Sequence, residues 1–210
     1  MIRGSMSVLA SLLVTAFVAF APAAHAGEAE ARELIENISA KTVEILADGG
    51  LSQQAKIDRF DTLLSRDVDM GRVARFVLGR YRRQIEANQP DKMDEYVELY
   101  RKYLIYSRAS QLSALNVRSI DVVGVTPLTK NQYMVNSAVT LNDGSQQADL
   151  GWRVREEDGE YKIIDLVVAG VSMGQSEREA NVPTLQSSGG DIQPLLAKMR
   201  AKISELGGSS

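Results

Sequence analysis

The chain has no cysteine, and its one histidine, His25, lies near the N-terminus. The missing cysteines exclude disulfides, a thiolate nucleophile and the acylated cysteine of a lipoprotein. Zinc sites built from Cys and His are excluded with them. A strong charge of one sign is also lacking: 24 Lys and Arg stand against 27 Asp and Glu, for a formal net charge of −3. That mild acidity argues against a nucleic-acid binder.

His25 falls in a segment that reads as a secretion signal. Arg3 supplies the positive start, Val8 to Ala21 is an uncharged apolar run, and Pro22 breaks it. Ala24-His25-Ala26 has the small residues of an A-x-A cleavage site. Cleavage after Ala26 removes the histidine, so no Ser-His-Asp triad and no histidine base remain. The alternative is an uncleaved anchor, since residues 4–27 carry no charge. No later apolar run reaches the roughly 20 residues of a spanning helix. The expectation is an exported, periplasmic protein, with 1–26 as signal peptide, 27–206 as one domain and 207–210 as a frayed tail.

Periodicity divides that domain into a helical part over 28–115, a sheet over 117–172 and a helical tail over 173–206. Leu34, Ile35, Ile38, Ile45 and Leu46 recur at helical spacing before Asp48-Gly49-Gly50 stops the run. Ser52 is a candidate N-cap of a second helix and Asp69 of a third, from Met70 to about Arg82. Pro90 suits the first turn of a long helix. Further on, alternating residues read as four strands. The first, from Val117, ends before Pro127, and Asn142-Asp143-Gly144 is a hairpin turn between the second and third. A fourth spans Tyr161 to Val171. The pattern predicts an α+β fold, with helices on one face of an antiparallel four-stranded meander.

The end of the fourth strand, Gly159-Glu160-Tyr161-Lys162-Ile163-Ile164-Asp165 with Val168-Ala169-Gly170-Val171-Ser172-Met173, resembles the closing motif of the MlaC family. That family is also called the toluene-tolerance or ABC-transporter auxiliary proteins. Asp69 to Tyr81 (DMGRVARFVLGRY), a tyrosine-rich helix over Tyr96 to Tyr106, Arg178 and Gly189-Gly190 match it in the same order. Tyr81 stands where the family more often has Trp, and Ala180-Asn181 replaces a frequent aromatic. The likeness covers about residues 28–205. It implies a non-enzymatic periplasmic shuttle that needs no cofactor. Phospholipid would pass between an outer-membrane lipoprotein complex and an inner-membrane ABC transporter with an MCE-domain partner, maintaining outer-membrane lipid asymmetry. The implied fold is a curved sheet of the NTF2-like/cystatin-like group, with acyl chains in an apolar cavity under the helices. A hopanoid-associated branch of the same family is the alternative cargo reading.

Candidate cavity residues are Val77, Tyr81, Tyr96, Tyr100 and Tyr103 on the helices, and Val135, Val139, Leu150, Trp152, Val154, Ile163 and Val167 on the strands. Each serves equally well as ordinary core, because a cavity wall is a core with a void beside it. Arg72, Arg75, Arg82 and Arg83 are candidate partner-docking residues, with Arg80 near them; a solvated face paired with acids is the plainer reading. Asp165, inside an apolar strand, is the one residue suited to an isomerase-type base, against a structural role as acceptor of backbone bonds. Ser172 reads as the N-cap of the following helix.

Overall fold

A computed structural model describes residues 23–113 and 116–208. The apolar part of the signal segment and the last two residues lie outside them. Helix α1 (Ala23–Ala47) starts earlier than its periodicity predicts and takes in the Ala24-His25-Ala26 site. Helix α2 (Gln53–Asp67) is capped by Ser52, whose hydroxyl accepts from the Ala55 N–H. Helix α3 (Met70–Val77) is capped by Asp69, which accepts from the Arg72 N–H. The predicted helix to Arg82 is interrupted: Gly79 has φ 56°, and residues Gly79–Tyr81 form a 3-10 turn before α4 (Arg82–Asn88). A β-carbon there would sit 2.8 Å from the Arg178 Nε, so space as well as backbone conformation calls for glycine. Pro90 opens a short turn that leads into α5 (Met93–Ser113).

The sheet has five strands in the order β1-β2-β3-β4-β5, all antiparallel. They are β1 (Val117–Thr129), β2 (Gln132–Leu141), β3 (Gln146–Glu157), β4 (Glu160–Val168) and the short β5 (Val171–Ser172). This corrects the four-strand expectation twice. The predicted fourth strand breaks at Ala169 and Gly170, both at positive φ, and folds back as β5. In addition β1 runs through Pro127 instead of ending before it. A strand at the sheet's edge has one side unpaired, where a proline's missing N–H costs no ladder bond. After β5 come α6 (Met173–Ser187), capped by Ser172, and α7 (Gln193–Glu205).

Apolar side chains collect in two clusters. One joins α1, α2 and the sheet through Ile35, Ile38, Phe60, Leu63, Val135, Val154 and Ile163, with Ile105 from α5. The other lies among α3 to α7, around Val77, Leu78, Tyr96, Tyr100, Leu185, Leu195 and Met199. Val68 and Tyr106 touch both. At the seam the chain between α2 and α3 grips β4: Val68 bridges to Ile163, and the Asp69 N–H donates to the Ile163 carbonyl at 3.0 Å. Lys162 donates to the Arg66 carbonyl at 2.8 Å. Beside it Arg66 forks onto the buried Asp67 carboxylate at 2.6 and 2.7 Å.

Tyr96 and Tyr100 are fully enclosed, and burial pushes both phenols well above their ordinary pKa of 10.0. Above pH 10 the unfolded chain releases protons that the folded chain keeps, so stability falls as pH rises. Thermal denaturation followed from pH 8 to 11 should show a flat melting temperature to about pH 9.5 and a steepening decline above it. Tyr96→Phe should make that decline shallower, although it loses the 2.9 Å bond from the Tyr96 hydroxyl to the Ala74 carbonyl.

Candidate functional site

Directly paired residues of antiparallel strands project to the same face. The register therefore fixes the inner face of the sheet. Val135 pairs with Trp152 and Trp152 with Leu166; Leu150 pairs with Ser137 and Val168. Val154 pairs with Tyr133 and Ile163. The register slips once between Arg153 and Val154, which leaves Ile164 without a partner and keeps Ile163 and Leu166 on one side. Val139 belongs to the same face as Val135.

Burial along this face is graded. At one end Tyr133, Val135, Val154 and Ile163 are buried beneath α1 and α2. The rings of Tyr133 and Tyr161 meet there at 6.1 Å. Burial, and then its hydrogen bond with the Glu30 carboxylate, push the Tyr161 phenol upwards. On β2 the burial continues through Ser137 and Val139, whereas Leu150, Trp152, Leu166 and Val168 on β3 and β4 are only half-buried. Trp152 donates its indole N–H to the buried Ser137 hydroxyl at 3.2 Å, satisfying both polar groups inside an apolar surface. Ser39, on the buried stripe of α1 beside Ile35 and Ile38, has a hydroxyl with no hydrogen-bond partner. Leaving such a group dry and unpaired costs about 1–3 kcal/mol.

Among the sequence candidates, Val135, Val139, Leu150, Trp152, Val154 and Ile163 thus share this face. Val167 does not: it pairs with Gly151, on the opposite side, where a β-carbon on Gly151 would lie 3.3 Å from that of Val167. Strand alternation broken by the bulge at Ile164 produces the shift, and Leu166 and Val168 take the inner positions that periodicity missed. Val77, Tyr81, Tyr96, Tyr100 and Tyr103 all belong to the helical cluster, away from the sheet face. Consecutive tyrosine rings stack there at 5.8 and 6.2 Å. Tyr103 also borders the buried Glu177, which accepts from Arg108 at 2.9 Å.

Asp165 is fully engaged. It accepts from the Leu166 and Gly174 N–H groups at 3.0 Å each and from the Ser172 hydroxyl at 2.6 Å. Its carboxylate therefore fastens β4 to β5 and to the start of α6. The candidate docking arginines are mostly tied down as well. Arg72 joins Asp69 and Glu157, while Arg75 and Arg82 share Glu86. Arg83 is exposed and has no ion pair among the described residues. Those residues also contain no metal-holding cluster of acidic or His side chains and no helix long and apolar enough to cross a membrane.

The arrangement defines a class: an α+β protein whose curved antiparallel sheet offers an apolar inner face to helices that cover it in part. The same fold occurs in a phospholipid-binding protein from Ralstonia solanacearum, solved in complex with a phospholipid. The two share 18% identity and a TM-score of 0.70, over 85% of this chain and 99% of that one. No curated protein sequence matches the chain. The family model of the MlaC protein matches residues 36–201, and the chain belongs to that family.

Asp165→Ala should lower stability by about 2–3 kcal/mol, since two backbone donors and a hydroxyl lose one charged acceptor. Chemical denaturation measures it. A loss under about 0.5 kcal/mol, the scale of an ordinary surface substitution, would contradict the fastening role.

Proposed function

We propose that the protein is a non-enzymatic phospholipid carrier, holding acyl chains between the inner face of the sheet and the α1–α2 cover. The carrying observation is the graded apolar face, sealed at Tyr133 and Ile163 and half-covered at Leu150, Trp152, Leu166 and Val168. Membership of the MlaC family and the lipid seated in a protein of the same fold support the reading. So does the physical demand. Each methylene moved out of water is worth about 0.8 kcal/mol, so a two-chain lipid crosses water only with an apolar host. A host of this kind needs an enclosed greasy surface and no acid, base or nucleophile. Asp165, held by three donors, is poorly placed to serve as a base.

As part of the same proposal, the protein works in the periplasm after loss of residues 1–26. It shuttles phospholipid between an outer-membrane lipoprotein complex and an inner-membrane ABC transporter with an MCE-domain partner, and so maintains lipid asymmetry of the outer membrane. Kinship with NTF2-like and cystatin-like folds rests on the sequence resemblance alone.

Native mass spectrometry of protein purified gently from its own periplasm should show an adduct of phospholipid mass. Bare protein alone would overturn the proposal, and a hopanoid mass would redirect it to the other branch. Position within the face should also matter. Leu150→Glu, in the half-covered part, should abolish lipid retention with little change in melting temperature. Val135→Glu, fully buried, should unfold the chain, because an unpaired buried charge costs several kcal/mol. Equal unfolding by both would make the whole face ordinary core.

A further inference from the structure

Two arginines differ from the ion-paired set on α3 and α4. Arg80, in the 3-10 turn, is exposed; its guanidinium lies 5.1 Å from the Tyr81 ring centroid and donates to the Tyr81 hydroxyl at 3.1 Å. Arg178, on α6, lies 5.5 Å above the Phe76 ring. Neither meets a carboxylate within ion-pair distance among the described residues, whereas Arg72, Arg75 and Arg82 all do. Both line a groove of about 340 Å³ between the turn and α6, whose walls include Val182 and Pro183. Its one acid, Glu179, accepts at 2.8 Å from Gln175, another wall residue. Phe76, with 45% of its surface exposed, adjoins it through the contact with Arg178.

We propose that this groove docks an acidic segment of a partner protein, with carboxylates on Arg80 and Arg178 and an apolar side chain against Phe76, Val182 and Pro183. The groove holds two cations that lack acidic partners, and each lies against an aromatic side chain that restrains it in advance. A restrained guanidinium loses less freedom when a carboxylate binds. Concavity favours a peptide over a membrane. An anionic bilayer rewards a projecting basic and aromatic surface, whereas a recess of this volume accepts a few side chains of a peptide. The site lies on the helical cluster, away from the inner sheet face. Docking and lipid retention therefore fail separately.

The test is fluorescence anisotropy at low salt with the full chain. One labelled peptide is built from Glu, Asp, Leu and one Phe, and a second has Lys in place of every acid. The acidic peptide should bind, the Lys peptide should not, and added salt should weaken binding. Arg80→Gln with Arg178→Gln should lower affinity about tenfold or more, while Arg59→Gln, on α2, leaves it unchanged. Arg178 packs against Gly79, so the exposed Arg80→Gln alone provides a second variant that keeps the fold, with a smaller loss expected. Lipid retention should persist in every variant. Equal binding by the Lys peptide, equal binding by the double variant, or no binding of the acidic peptide overturns the proposal. So does binding to phosphatidylglycerol vesicles, without peptide binding, that the double variant loses.

Discussion

A sheet with one apolar face needs a cover, and here the cover is incomplete. The pairings of Val135, Trp152 and Leu166, and of Ser137, Leu150 and Val168, put an apolar surface on one side of three strands. Along β2 this face is buried from Tyr133 through Val135 and Ser137 to Val139, and Val154 and Ile163 join it, while Leu150, Trp152, Leu166 and Val168 on β3 and β4 stay half-covered. A protein that maximised its own stability would seal the rest, since uncovered apolar surface forfeits about 25 cal/mol for each Å² left in contact with water. Half-burial of Trp152 and its neighbours is the physical basis for placing a lipid there.

An open face requires stability from elsewhere, and the second apolar cluster supplies it. Helices α3 to α7 bury two tyrosines and a block of aliphatic residues without using the sheet. The seam between the clusters is narrow and polar in its fixings. Val68 pairs with the backbone of β4, Lys162 holds the Arg66 carbonyl, and Asp165 ties β4 to β5 and α6. Backbone bonds and short carboxylate contacts suit such a joint because they fix position without needing the large apolar contact that would close the sheet face. The fork of the half-exposed Arg66 onto the buried Asp67 carboxylate adds orientation more than net energy, because desolvating the carboxylate offsets much of the attraction.

Much of this was legible in the sequence, for reasons that differ by element. The caps at Ser52, Asp69 and Ser172 were readable because each is a local event, one side-chain oxygen accepting a backbone N–H three residues on. Strand alternation gave Val135, Val139, Leu150, Trp152 and Val154 correctly as one face. It failed at Val167, because a bulge inverts parity and leaves no mark in composition. The break at Ala169-Gly170 was missed because Ala169 adopts φ 48°, a conformation an alanine does not advertise. The tyrosine stripe of α5 is legible as helical and apolar from its spacing. Which neighbour it faces depends on α6 and α7, whose positions follow from tertiary packing and not from period.

The arginines show the same limit from the side of charge. On a helical wheel Arg72, Arg75, Arg82 and Arg83 share a face, and proximity suggested one shared role. Contacts divide them instead. Arg72 reaches Glu157, 85 residues away, and becomes a clamp between α3 and the β3–β4 turn. Arg75 and Arg82 neutralise Glu86. The kink at Gly79 then turns Arg80 out of that set, toward α6, where Arg178 arrives from a distant part of the chain. The turn at Gly79 thus sets Arg80 apart from Arg72, Arg75 and Arg82, which acids of the same chain hold.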